Sequence, residues 1–476
     1  MRDAFILILV LVLTACTVGP DYKRPEVAVP QQWTIDYPAA VELSNMAWWR
    51  QFDDPALDEL VERAVRQNLD LQAAAARVDQ YLGELETTRS QFFPQIGAGA
   101  NLSAQRSGGI SSDAAQVGLN ATWELDLWGR IRRANEASRA RLLASEQGRR
   151  TVLMTLVANV AANYIALRGL DRQLSIARQT ENAFSESYEI FKLRYEYGAI
   201  SQLELSQARS LYESARKAVP RYESLIRQQE NLLSVLIGQL PGEIPRGREI
   251  DDLPAPQIPA GLPSTLLERR PDILQAEQNL VAANAQIGVA RAAYFPTISL
   301  TGLLGSVSGD LGGLLSGGSQ SSSLAAGIAG PLLNFGAVSG QVAQSEALQQ
   351  QALLQYRQTV LEAFREVEDA LVRTTKGREE SVVQKNQVDA LTSTAELARL
   401  QFDQGRVDYL QVLDAERSLF SAELEMVQKE IDLLGSLISV YKAMGGGWIA
   451  QADRLGSHTG TNSGTESQPT TQGGAQ

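Results

Sequence analysis

Leu410, Asp414 and Arg417 stand four and three residues apart, a spacing that sets an apolar side chain, a carboxylate and a guanidinium along one helix face. Alone, that trio is an intrahelical ion pair on a solvated face, contributing only a few tenths of a kcal/mol. A second charged group, Arg130, Arg132 and Arg133, with Arg139 and Arg141 beyond, opens a stretch of helical periodicity. Cations are disfavoured at a helix start, so the placement asks for anionic partners. Lipid headgroups would supply about 1 kcal/mol per charge; a solvated face is the plain alternative. Catalysis has little to work with. His458 is the only histidine and sits in a Ser/Thr/Gly/Gln tail, which excludes histidine triads and His-rich metal sites. Gly97-Ala98-Gly99 opens no helix and no phosphate loop follows it. No catalytic residue, metal or cofactor is expected. The net charge of −12 argues against nucleic acid, which calls for a basic surplus.

Cys16 is the single cysteine, so no disulfide forms within the chain. It ends a short apolar run, Ala4 to Leu13, followed by Thr14-Ala15-Cys16. The run is too short to span a bilayer comfortably and reads as a signal peptide. Leu13-Thr14-Ala15-Cys16 resembles the bacterial lipobox, in which the cysteine becomes the acylated N-terminus; a plain signal peptide with an incidental cysteine is the alternative. Asp3 weakens the positive start of the leader. Thr17, in place of an aspartate, resembles lipoproteins sent on to the outer membrane. Acyl chains contribute about 0.8 kcal/mol per buried methylene, so such a cysteine would be a firm anchor.

The elements that position these residues come in two copies. Arg89-Ser-Gln-Phe-Phe-Pro94 answers Arg291-Ala-Ala-Tyr-Phe-Pro296; Trp128-Gly129 answers Phe335-Gly336, and Gly198 answers Gly405, both at an offset of 207 residues. Six prolines between Gly238 and Pro263 mark a non-helical linker. Within the first copy Asp54-Pro55 reads as a helix start, with the pattern running to Phe93 before Pro94. The period then becomes two: Val117, Leu119, Ala121, Trp123, Leu125 and Leu127 alternate with polar or small residues, as on a strand with one apolar face. The length suits a transmembrane strand of about 9 to 11 residues, although a soluble half-buried strand would look the same. After Gly129 an unbroken helical pattern runs to about Tyr197, its apolar seam spaced as in a coiled coil. A returning helix follows from Ser201 to Ile237, carrying Pro220. The second copy repeats this with Ala337 to Gln404 and Val407 to Met444, while Gly302 to Gly318 reads as turns and an extracellular loop. Roughly four strands cannot close a membrane barrel, which needs about eight, so strands that span a membrane require an oligomer.

Three motifs, Cys16-Thr-Val-Gly-Pro-Asp-Tyr-Lys-Arg-Pro25, Trp48-Trp49-Arg-Gln-Phe52-Asp-Asp54-Pro55 and Arg269-Arg270-Pro271-Asp272-Ile273, together with Gly445 to Trp448, resemble the TolC-like outer membrane factors, and within them the lipoprotein branch of NodT-type efflux proteins. The resemblance implies a mostly α fold with membrane β: a homotrimer whose twelve-stranded barrel in the outer membrane continues into a long periplasmic α-helical barrel. It implies a passive, lipid-anchored exit duct for small molecules, working with a periplasmic adaptor and an inner-membrane transporter of the RND type. It also implies a periplasmic gate at Leu410, Asp414 and Arg417, where three Asp414 carboxylates would repel one another and favour cations; the first-copy equivalents Leu203 and Gln207 would stay on the outer wall. The expected division is a signal peptide at 1–15, a lipid-anchored segment at 16–54, a first repeat at 55–237, a linker at 238–263, a second repeat at 264–448 and a disordered tail at 449–476. The competing reading is a lipid-anchored periplasmic coiled-coil scaffold without a pore.

Overall fold

A computed structural model describes residues 17–27, 30, 47–108, 110–256, 266–309, 311–315 and 319–446. The leader, Cys16, Trp448 and the tail with His458 lie outside them. The first half runs α1 (Pro55–Gln67), α2 (Leu69–Ser90), β1 (Gln95–Ser107), β2 (Ile110–Leu125), α3 (Arg130–Glu196) and α4 (Gln202–Leu236). The second half follows the same plan with α5 (Pro271–Ala292), β3 (Thr297–Ser308), β4 (Gln320–Ala329), α6 (Ala337–Asp403) and α7 (Tyr409–Ala443). Two compact units result, and each draws on both halves of the sequence. One takes residues 1–28, 74–149 and 272–360; the other takes 29–73, 150–271 and 361–476.

The first unit contains the sheet. Its four strands are antiparallel in the order β1-β2-β3-β4, so β1 and β4 each present an unpaired edge. The registers Ala98↔Leu119, Leu119↔Leu304 and Gly302↔Leu324 put Ile96, Leu102, Val117, Leu119, Leu300, Leu304, Leu324 and Ile328 on one face. Opposite residues share a face and side chains alternate, so the other face carries Asn101, Gln116, Asn120, Thr122, Thr301 and Ser323. The apolar face is bare: Ile96, Leu102, Leu304 and Leu324 are all more than 60% exposed. Gly302 and Gly305, expected in a loop, lie inside β3. At Gly305 a Cβ would stand 2.2 Å from the Val117 carbonyl oxygen, so the approach of β2 and β3 there requires glycine.

In the same unit the segment after Cys16 is held by isolated backbone and side-chain contacts rather than by secondary structure. Val18 donates its N–H to the Trp128 carbonyl, and Asn284 donates to the Pro20 carbonyl. Arg24 pairs with Glu277 at 2.9 Å, and Tyr22 donates to the same carboxylate.

The second unit holds the larger core. Trp48 and Trp49 pack in a short 3-10 turn, Trp48 stacked on Tyr441 with ring centroids 5.2 Å apart. Leu57, Leu60, Val157, Val160, Tyr164, Leu233, Leu437 and Val440 complete its interior. Asp54 ties these segments together while only 1% exposed. One oxygen caps α1, accepting from the Ala56 N–H at 2.9 Å and the Leu57 N–H. The other accepts from the Tyr164 hydroxyl at 2.8 Å and the Arg248 N–H at 3.0 Å. The single helix expected from Asp54 to Phe93 breaks at Asn68. That side chain accepts from the Leu71 N–H and donates to the Leu236 carbonyl, so the chain turns where one residue can satisfy both backbones. Among the described residues α3 alone contains a window apolar enough to cross a bilayer, at mean hydropathy 1.3, and 67% of that window is buried inside the protein. It serves this core.

Asp54→Ala strands the Tyr164 hydroxyl and the Arg248 and Ala56 N–H groups, and removes a cap. We expect it to cost about 3 kcal/mol or more, with Tyr164→Phe costing about 1 kcal/mol, measured as shifts in thermal unfolding. Equal losses in the two variants would remove Asp54 from this hub role.

Candidate functional site at the helix tips

Each long helix turns back over a five-residue connection, 197–201 in the first copy and 404–408 in the second. The Gly198 N–H bonds the Tyr195 carbonyl and the Ala199 N–H bonds that of Arg194; at the second tip Gly405 bonds Phe402 and Arg406 bonds Gln401. Both glycines are left-handed, at φ 68° and 70°, which a Cβ would strain. The returning helices are capped differently. Ser201 forms a capping box with Glu204, whereas Asp408 caps α7 by accepting from the Leu410 N–H at 3.2 Å.

Beside the turns lies a separate apolar cluster that sequence reading gave no role at the tip. Phe191 of α3 and Tyr409 of α7 stack with centroids 3.8 Å apart; Phe402 of α6 stands 5.2 Å from Tyr409 and 6.0 Å from Phe191. Ala208, Val412 and Leu413 close around them, and Arg194 lies over the Phe191 and Phe402 rings. Burial, then the Glu416 carboxylate, pushes the Tyr409 hydroxyl up to about 12. Burial also raises Glu416, against the pull of Arg399 at 3.8 Å. Aromatic residues at helical spacing were legible as a seam; that three elements converge on them was not.

The expected gate residues stand together on α7. Leu410 is 54% exposed, and Asp414 accepts from the Arg417 guanidinium, both side chains being mostly exposed. They line an open groove of about 750 Å³ with Gln207, Ser210 and Ser214 of α4 and Leu391 and Thr394 of α6. Gln207, expected on the outer wall, therefore shares a groove with Asp414, because the two returning helices pack side by side at equivalent positions.

The arginines at the start of α3 find their anions within the chain. Arg130 grips Glu124 with two hydrogen bonds of 2.9 and 2.7 Å. Asp126 accepts from the Ile131 and Arg132 N–H groups and from the Arg132 guanidinium, so a carboxylate occupies the helix start. Arg133, 7% exposed, pairs with Asp21 at 2.7 Å and Glu136 at 2.8 Å.

A further titratable cluster went unread in the sequence. Glu430 of α7 faces Asp251 of the linker and Arg172 of α3, and Arg172 pairs with Asp251 at 3.0 Å. Burial, then the Asp251 carboxylate, pushes Glu430 up to about 7 despite Arg172. Among the described residues no group of three or more His, Cys, Asp or Glu is placed to hold a metal.

An apolar-faced antiparallel sheet joined to paired 67-residue helices that turn back at glycines defines an outer-membrane channel of the TolC type. The chain belongs to the outer membrane efflux protein family, whose pattern matches residues 60–239 and 262–446. It is 36% identical to the probable efflux pump outer membrane protein TtgC of Pseudomonas putida, over 92% of this chain and 94% of that one. It is 35% identical to the cation efflux system protein CusC of Escherichia coli, over 92% and 97%. In structure it resembles the open state of the MtrE outer membrane channel of Neisseria gonorrhoeae, at TM-score 0.84 and 32% identity over 91% of this chain and 99% of that one. It is accordingly an outer-membrane channel component of tripartite efflux systems, a transport protein and not an enzyme. The scaffold reading falls with that assignment.

A carboxyl whose folded value lies above its unfolded one binds more protons when folded, so its contribution is present at low pH and declines as pH rises. For Glu430 the window runs from 4.5 to about 7. Glu430→Gln should flatten the fall in melting temperature across that window; an unaltered profile would show that the group titrates normally.

Proposed function

We propose that three copies of this chain form a lipid-anchored exit duct, its sheets joined into a twelve-stranded outer-membrane barrel and its helices into a periplasmic α-helical barrel. The observation that carries the reading is the open-edged sheet with one bare apolar face and one polar face. Lipid suits the first face and a water-filled lumen the second, while backbone groups in a bilayer must all be paired. Twelve strands need three copies of four.

The chain divides as its repeats suggest, with a signal peptide at 1–15, an anchored segment from Cys16 to 54, repeats at 55–237 and 264–448 around a linker at 238–263, and a tail at 449–476. The lipobox motif supports acylation of Cys16 and the lipoprotein branch. Arg130 and Arg132, each about a third exposed, are assigned a secondary contact with anionic headgroups, whereas Arg133, itself buried, is committed to Asp21 and Glu136. A periplasmic adaptor and an RND-type inner-membrane transporter are the assigned partners. The relatives' names include an antibiotic, toluene and a cation efflux system, so the duct itself singles out no cargo.

Leu410, Asp414 and Arg417 are assigned to the gate. Their side chains are exposed in one chain and lie on α7 beside its turn from α6. Three copies would gather three carboxylates in a narrow ring, which favours cations.

Asp414→Ala should raise resting single-channel conductance in planar bilayers several-fold and reduce cation preference, with the trimer intact. Unchanged currents in a correctly assembled variant would take Asp414 out of the gate.

A further inference from the structure

The linker between the repeats is fastened along one face of α3. Tyr164, Arg168 and Arg172 follow one another at intervals of four residues, so they form a row about 12 Å long on that helix. Each meets a successive part of the linker. The Tyr164 hydroxyl accepts from the Gly247 N–H at 2.9 Å, and Arg168 donates to the Arg248 carbonyl at 2.8 Å and pairs with Glu249 at 3.0 Å. Arg172 stands 3.0 Å from Asp251, while Asp171 pairs with Arg246 at 3.1 Å. Between these polar contacts Ile250 is fully buried. All of these residues, and α7 with them, lie in the second unit.

α7 reaches the same place over Gly169. A Cβ there would stand 2.2 Å from Ile431 Cδ1 and 3.4 Å from Ile250 Cδ1, so the missing side chain lets α7 and the linker meet on α3. Next to Ile431, Glu430 turns toward Asp251, and the two carboxyl groups share a hydrogen bond. That bond requires a proton between them, because two carboxylates are acceptors only. Asp251 can accept it: the buried Arg172 Nε, although close, makes no hydrogen bond. Two charges from other elements face Glu430, Asp251 of the linker and Arg172 of α3. On α7 itself Glu423, two turns earlier, is raised by burial against the pull of the same Arg172. The α6 carboxylate nearby, Glu380, pairs with Lys429 at 2.9 Å. One guanidinium therefore stands among three acidic groups and cannot neutralise them all.

We propose that Glu430 and Asp251 form a proton-operated clasp between α7 and the linker. With the shared proton in place the two carboxyl groups hold each other; when it leaves, two like charges face each other and the clasp opens. The α3 side stays fastened in both states. Burial and Asp54 raise the Tyr164 hydroxyl, and arginine keeps its charge, so neither loses a proton near neutrality. Burial, then Asp251, pushes Glu430 up to about 7, so the clasp is closed in acid and opens as pH rises through that value. The device lies within one chain and does not depend on the number of copies.

The test is residue-resolved hydrogen exchange on the full-length chain, normalised for the intrinsic pH dependence of exchange. The Asp252 and Leu253 N–H groups, bonded to the Glu249 and Ile250 carbonyls, report the clasp; the Arg248 N–H, bonded to Asp54, reports the α3 side. From about pH 5.5 to about pH 8 the protection of the first two should fall several-fold while that of Arg248 holds. In Glu430→Gln, whose amide still donates to Asp251, all three should stay protected throughout. In Asp251→Asn the step should move to lower pH, since the like charge is gone. Difference infrared spectra across the same range should lose a carboxylic-acid C=O band in Glu430→Gln. No step in the wild type, a step that persists in Glu430→Gln, or an equal loss of protection at Arg248 would overturn the clasp.

Discussion

Backbone N–H and C=O groups inside a bilayer have no water to turn to, and that requirement governs this molecule. Four strands in sequence leave two edges, one on β1 and one on β4, in a sheet whose other features suit lipid on one side and water on the other. An edge of this kind in water is an aggregation hazard; in a membrane it is forbidden. Closure with further copies of the chain would satisfy it.

That logic sharpens the comparison of the two tips. Both turns have the same glycine, the same pair of helix-ending hydrogen bonds and a capped returning helix. Of the two aspartates present in only one of them, Asp408 is accounted for by helix physics, because it stands where Ser201 does and caps its own helix. Asp414 has no such account. Its partner Arg417 is exposed, and exposed pairs contribute about 0–1 kcal/mol, so stability gives no reason to place a carboxylate where the first copy has Gln207.

Much of this was legible because punctuation and period are local. Gly198, Gly405, Pro94 and Pro296 end elements through their own backbone chemistry, and the alternation from Val117 to Leu127 marked β2, which stops at Leu125. The expected limits of α3, α4, α6 and α7 stand within two residues of the observed ones. What escaped was set by distant partners. Asn68 breaks a continuous helical pattern because it serves Leu71 and Leu236 together. Gly302 and Gly305 looked like loop residues because only the opposing strand shows why they are needed. Glu136 could be read as an i,i+3 partner of Arg133, but the other carboxylates that meet these arginines come from Asp21, Glu124 and Asp126, which no helical spacing brings near.

The tip also divides its interactions by their sensitivity to solution. The position of α7 against α3 and α6 is set by Phe191, Phe402 and Tyr409, an apolar contact that salt does not screen. The charges of Asp414 and Arg417 sit outside that cluster, exposed, where ions within about 8 Å at physiological strength weaken them. Ionic conditions therefore act on the charge presented at the tip while leaving its placement fixed. The aromatic cluster thus holds the helix in place, and the exposed Asp414–Arg417 pair is the part of the tip that the solution reaches.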